Sequence, residues 1–168
     1  MITWQIGDIT KVKEVDYICN AANGMGPMGA GVASSIKRAG GISIQNEAFY
    51  ICSQSDYREG DIYITKAGTL PYKNIIHLVT MKNPGGKTSI EIVEKCLKNL
   101  INIMRLKKIK KVALPALGTG VGNLNLKDVA DKYIEILGPI EDLEFVIVDI
   151  NPIFISQFEL RCSKWREE

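Results

Sequence analysis

The segment that decides the fold runs from Ile75 to Leu117. It opens on Ile75-Ile76-His77-Leu78-Val79-Thr80 and closes on Val112-Ala113-Leu114-Pro115-Ala116-Leu117, two apolar runs of the kind that form strands. Between them Ile90, Val93, Leu97, Leu100 and Met104 recur at three- and four-residue steps, the period of one helix face. Thr88-Ser89-Ile90-Glu91 fits a capping box and predicts where that helix begins. Strand, helix and strand thus follow one another. A run as continuously apolar as Val112-Ala113-Leu114 predicts a strand covered on both faces.

Working outward, four more strands read at Ile2 to Ile6, Val15 to Cys19, Ile62 to Thr65 and Leu143 to Val148. Helical patterns cover Val32 to Ala39, Ile44 to Ser53, Leu126 to Leu137 and Pro152 to Arg161. The alternation predicts an α/β sandwich. Only Ala67-Gly68-Thr69-Leu70-Pro71-Tyr72 separates the third and fourth strands, short enough for an antiparallel return, so the sheet should be mixed. With 168 residues, 46% of them hydrophobic and 24% charged, the chain suits one globular domain spanning 1–168 and excludes disordered, collagen and coiled-coil classes.

Twenty-one Lys and Arg against nineteen Asp and Glu leave a formal charge of +2, too small a surplus to imply a nucleic-acid or membrane surface. The basic run Lys107, Lys108, Lys110 and Lys111 reads as a solvated turn between a helix and a strand. Cys19, Cys52, Cys96 and Cys162 are scattered through apolar or amphipathic stretches with no Cys-x-x-Cys pair, which suits a reducing compartment. No window approaches the roughly 18 apolar residues of a membrane span, and the N-terminus has no leader pattern. A cytoplasmic monomer without a cofactor is the expectation.

One histidine, His77, removes every zinc signature that needs two, and the cysteines cannot replace them, so no metal is expected. No Gly-x-Ser-x-Gly turn accompanies it as part of a hydrolase triad, and a strand histidine satisfied by its neighbours is the preferred reading. Glycine is more informative. Gly24-Met25-Gly26-Pro27-Met28-Gly29-Ala30-Gly31, Gly85-Gly86-Lys87-Thr88 and Gly118-Thr119-Gly120-Val121-Gly122 each follow a strand pattern and precede a helix pattern, where α/β proteins bind phosphate.

The second turn mimics the end of a Walker loop, but Met81 stands where that motif requires its first glycine. Gly24, Gly26 and Gly29 form a literal G-x-G-x-x-G, with Glu47 at about the distance of a ribose-binding acid. Three features argue against a dinucleotide site. Asn20-Ala21-Ala22-Asn23 separates the strand run from the first glycine, Pro27 removes an amide, and Glu47 falls in a helical pattern. What remains is two loops, 23–32 and 118–123, that can expose amides at the carboxyl end of the sheet and clamp a diphosphate from opposite sides.

Gly7-Asp8-Ile9-Thr10, Asn20-Ala21-Ala22-Asn23, Gly29-Ala30-Gly31-Val32-Ala33 and Pro115-Ala116-Leu117-Gly118-Thr119-Gly120-Val121-Gly122, in that order, resemble the macrodomain family of ADP-ribose binders. The match spans Ile2 to about Phe158. It implies a three-layer α/β/α sandwich around a mixed six-stranded sheet, with ADP-ribose across the strand ends. By that resemblance Asp8 would accept from the adenine amine and the Ile9 amide would contact the same ring. Asn23 would hold the distal ribose and orient any attack on it. Gly29, Ala30, Gly31 and Val32 would hold the diphosphate and distal ribose on one side, and Gly118, Thr119, Gly120, Val121 and Gly122 on the other. The residues alone leave alternatives: Asp8 also fits an N-cap, and Asn23 a turn asparagine.

Two hydrolytic subclasses carry an aspartate after the glycine-rich run and its valine, or a lysine ending the fourth strand with an acid in the late glycine loop. Ala33, Met81 and Gly122 occupy those positions here, and Lys82 is displaced by one residue, towards the other side of a strand. The resemblance therefore implies ADP-ribose or an ADP-ribosylated protein or nucleic acid as partner. It leaves open whether the chain releases ADP-ribose or an acetyl group, binds without catalysis, or acts as a phosphatase on the distal ribose.

Overall fold

The computed structural model describes residues 1–162. Strands β1 (Ile2–Ile6), β2 (Tyr17–Asn23), β3 (Ile62–Thr65), β4 (Asn74–Met81), β5 (Lys111–Leu114) and β6 (Glu144–Asp149) form one sheet in the order β1-β6-β5-β2-β4-β3. All neighbours are parallel except β3 and β4, which pair antiparallel through the short return. Helices are α1 (Gly31–Gly40), α2 (Ile42–Gln54), α3 (Ile90–Leu106), α4 (Leu126–Leu137) and α5 (Pro152–Cys162), with a 3-10 turn at Ile9–Lys11.

Alternation along each strand divides the core into two layers. Cys19, Ile76, Leu78, Val112, Leu114, Phe145 and Ile147 face α3, α4 and α5, and pack on Val93, Leu97, Leu100, Tyr133 and Phe158. Ile18, Ile75, Ala113, Val146 and Val148 face the other way, against Ile9, Ile36 and Ile44 of the 3-10 turn, α1 and α2. Fully burying one such Leu or Ile contributes about 1.5–3 kcal/mol relative to exposure, so both layers stabilise the sheet that lies between them.

Most boundaries shift by one or two residues from the sequence reading, and three differences bear on the site. β2 runs on to Asn23, so Asn20-Ala21-Ala22-Asn23 is strand and not the connector before the first glycine. The apolar-run criterion stops at Asn20, yet Asn20 is buried and hydrogen-bonded to His77. β5 ends at Leu114, because Pro115 cannot donate to the ladder. The cap of α3 is Ser89, whose hydroxyl accepts from the Ile92 amide, one residue later than the Thr88–Glu91 box requires. Thr88 Oγ1 is left without a partner among the described residues.

His77 is the satisfied strand histidine. Its Nδ1 accepts from Asn20 Nδ2 at 3.1 Å, and its Nε2 donates to Thr65 Oγ1 at 2.8 Å, since that hydroxyl itself donates to the Lys66 carbonyl. The ring stacks on Tyr63 at 4.6 Å. Burial pushes its pKa down from 6.5 to about 3, so the folded protein holds the ring neutral. That contribution is complete above pH 6.5 and is lost as the pH falls towards 3, where the unfolded chain gains the proton first. Ring resonances in NMR should show no titration between pH 8 and pH 4. A midpoint near 6.5 in the native protein would overturn the buried network.

Candidate functional site

The carboxyl ends of β1, β6, β5, β2 and β4 open into one cleft of about 580 Å³. It is lined by Asp8, Ile9, Asn23, Gly29, Ala30, Gly31 and Val32, and across from them by Gly118, Thr119, Gly120, Val121 and Gly122. The residues that the resemblance assigns to the ligand thus line one cleft.

The first wall is the start of α1. Gly31 takes φ +58, a left-handed conformation that admits few other residues, and turns the chain into the helix. Ala30 caps α1 without a side-chain hydrogen bond, unlike Ser89 on α3 and Asn125 on α4. The amides of Gly29, Ala30, Gly31 and Val32 donate to no described residue. A helix N-terminus with open N–H groups carries a partial positive charge and is a site for an anion.

The opposite wall is the loop after β5. The amides of Thr119, Gly120, Val121 and Gly122 also donate to no described residue, while Leu124 N–H closes the loop onto the Gly118 carbonyl at 2.9 Å. Gly118 takes φ +73. At Gly122 a Cβ would lie 2.4 Å from Thr88 Cγ2 and 2.7 Å from the Gly118 carbonyl oxygen, so no acidic side chain fits there. Tyr133 supports the base of the loop from α4. Its buried hydroxyl donates to the Pro115 carbonyl at 2.6 Å and accepts from the Leu117 amide at 2.9 Å. Tyr133→Phe leaves both groups buried and unpaired and should lower unfolding stability by about 1–3 kcal/mol in a denaturant titration. A change below about 0.5 kcal/mol would mean that water takes the hydroxyl's place.

Asp8 realises its capping role with half of its carboxylate. Oδ1 accepts from Thr10 N–H at 2.9 Å and Thr10 Oγ1 at 2.7 Å, and Oδ2 accepts from no described residue. Asn23 likewise acts as a turn residue. Its Oδ1 accepts from the Met25 and Gly26 amides at 3.0 and 2.9 Å, and its Nδ2 donates to the Pro27 carbonyl at 2.9 Å. Both lone pairs are therefore occupied and one N–H remains, so Asn23 can donate to a ligand but has no acceptor to offer. The turn-asparagine alternative is thus realised, and a contact to the distal ribose would be a donated one.

Ala33 and Met81 line the cleft as their positions implied. Lys82 does not. Its ammonium pairs with Asp56, which Arg58 also holds at 2.8 Å, outside the cleft. Glu47 lies within α2 and accepts from the Lys66 amide, which removes it as a ribose-binding acid. Sequence reasoning missed Thr80, Pro84, Ala116 and the end of β6 with its following turn, Val148 to Asn151. Asp149 is the chief omission, a second carboxylate in the cleft. Burial raises its pKa above the usual carboxylate value, against the pull of the Asn151 and Ala116 amides. A signal was available in Asp149-Ile150-Asn151, an acidic residue ending a strand where the chain turns into a helix. Among the described residues no group of His, Cys, Asp and Glu is placed to hold a metal, and no helix is long and apolar enough to cross a membrane.

The chain is similar to known proteins in both sequence and fold. The Macro domain family profile matches residues 19–133. An uncharacterized protein of Aquifex aeolicus is 37% identical over 156 residues, covering 91% of this chain and 92% of its own length. A macro domain-containing protein of Mesorhizobium japonicum is 37% identical over 116 residues, 68% of this chain and 64% of that protein. Among solved structures, the macrodomain of Thermus aquaticus DarG superposes with a TM-score of 0.77 at 28% identity, over 89% of this chain and 98% of the other. An Oceanobacillus iheyensis macrodomain variant with ADPR bound has a TM-score of 0.82 over 99% of this chain and 93% of its own, and at 24% identity it supports the fold alone.

Proposed function

The chain belongs to the macrodomain family, and from that premise we propose that its cleft binds ADP-ribose, free or attached to a protein or nucleic acid. The observation that carries the reading is the pair of facing amide arrays, residues 29–32 and 119–122, with no committed acceptors among the described residues. Both line the same cleft, where their open N–H groups would take a diphosphate, and Asp8 Oδ2 would take an adenine amine. Calorimetry with ADP-ribose should give a dissociation constant of micromolar order, about 8 kcal/mol, tighter than for AMP or NAD. Absence of heat or saturation at millimolar ADP-ribose would refute it.

Hydrolysis at this site would have to come from positioning. The cleft is lined by no Lys, Arg or His among the described residues, and its two carboxylates, Asp8 just after β1 and Asp149 at the end of β6, lie at the side away from Asn23 on β2. A side-chain general base contributes roughly 100-fold to 10,000-fold, so release of ADP-ribose from a modified substrate should be slow and depend on the substrate's own groups. With ADP-ribosylated protein and nucleic acid as substrates, Asn23→Ala should reduce any release strongly. Lys82→Ala should leave it within about twofold, because its ammonium is paired outside the cleft. Loss of release in Lys82→Ala with binding retained, or a trapped adduct on Lys82, would show that the lysine is the nucleophile.

A further inference from the structure

Asp149 ends β6, and its carboxylate is fixed from two sides. Oδ1 accepts from the Ala116 amide at 3.3 Å and Oδ2 from the Asn151 amide at 3.0 Å, while its carbonyl accepts from the Gly7 amide at 3.0 Å. It is thereby tied to the loop after β5, to the start of α5 and to the end of β1. A carboxylate has about four acceptor positions, so roughly two remain for whatever enters the cleft. The charge cannot swing away into solvent, and no cation lines the cleft among the described residues to offset it.

The strand order says what it meets. Along the mouth of the cleft the strand ends run β1, β6, β5, β2, carrying Asp8, Asp149, the loop 118–122 and Asn23 in turn. If adenine lies at Asp8 and the diphosphate at the loop, as the ADP-ribose reading on which this rests requires, the ribose joining them passes the end of β6. We propose that Asp149 accepts from the hydroxyls of the adenosine ribose and makes the cleft selective for ADP-ribosyl groups with a free 2′-hydroxyl, against those carrying a 2′-phosphate. Two hydroxyls can donate to a fixed carboxylate. A phosphate at the same place brings about −1.5 to −2 charges and no donor, and it meets a like charge that the protein does not let move.

The test is calorimetry at pH 8 with ADP-ribose, its 2′-phosphate and its 2′-deoxy analogue. The 2′-phosphate should bind the native protein at least about tenfold more weakly than ADP-ribose, and the deoxy analogue about threefold or more. Asp149→Asn, its fold checked by circular dichroism, should weaken ADP-ribose and bring the 2′-phosphate to within about threefold of it. Should that variant fail to fold, Asp149→Ser is read in the same way. Equal binding of ADP-ribose and its 2′-phosphate overturns the selectivity and leaves the ADP-ribose reading standing, and so does a tenfold gap that persists in the variant as far as Asp149 is concerned. Failure of all three ligands to bind removes the ADP-ribose reading itself, and this inference with it.

Discussion

Gly120→Glu is expected to abolish ADP-ribose binding without disturbing the fold. A Cβ at Gly120 meets nothing within 4 Å, and the residue does not need a left-handed backbone, so the substitution is sterically free in the unliganded protein. It nevertheless sits in the middle of the amide array that lines one side of the cleft. A glutamate there fills the approach to that backbone and sets a carboxylate against the diphosphate's own charge. At 4 Å and an effective dielectric near 20 two unit charges repel by about 4 kcal/mol, and even half of that with the lost contacts exceeds a 100-fold loss of affinity. Calorimetry together with a melting curve decides it. A folded variant with unchanged affinity would place the ligand elsewhere. Gly122 offers no such test, since Thr88 and the Gly118 carbonyl leave a side chain no room and the variant would fail through its structure.

The second large effect is at Asp8, where the cap of the 3-10 turn and the proposed adenine contact share one carboxylate. Asp8→Ala removes the acceptor for adenine and the cap of the 3-10 turn together. It should weaken ADP-ribose by about 1.5–3 kcal/mol and lower stability by about 1 kcal/mol. Asp8→Asn separates the two. Asparagine has one oxygen, which can cap Thr10 or face the ligand, so stability should stay near the native value while affinity falls. Loss of stability with undiminished binding in both variants would reduce Asp8 to its capping role.

The parts of the molecule that sequence made legible are those whose cause is local. α3 announces itself through Ile90, Val93, Leu97, Leu100 and Met104, and the glycine loops through residues that few other side chains could replace. The missed parts have distant causes. Asn20 looks like the end of a strand until His77, fifty-seven positions away, is seen to hydrogen-bond it. Asp149 carries only the weak signal of an acid ending a strand, and its place in the cleft depends on β6, the last described strand, lying beside β1, the first. The one-residue shift of the α3 cap is of a third kind, a choice between Thr88 and Ser89 that composition does not make and that packing of Thr88 Cγ2 under Gly118 and Gly122 does.

A cleft that offers an anion open peptide N–H groups and, among the described residues, no cationic side chain has a consequence for company as well as for affinity. Lysine and arginine attract any phosphate from a distance, and the strength of that attraction follows the salt concentration. Oriented amides act at contact, and only on a group whose oxygens sit where the N–H bonds point. A polyanion such as a nucleic acid chain would therefore find no foothold in the cleft by charge alone. On the proposed reading, a single ADP-ribosyl group would be sorted from a vast excess of ordinary phosphodiesters by shape, at an ionic strength that would silence a basic patch.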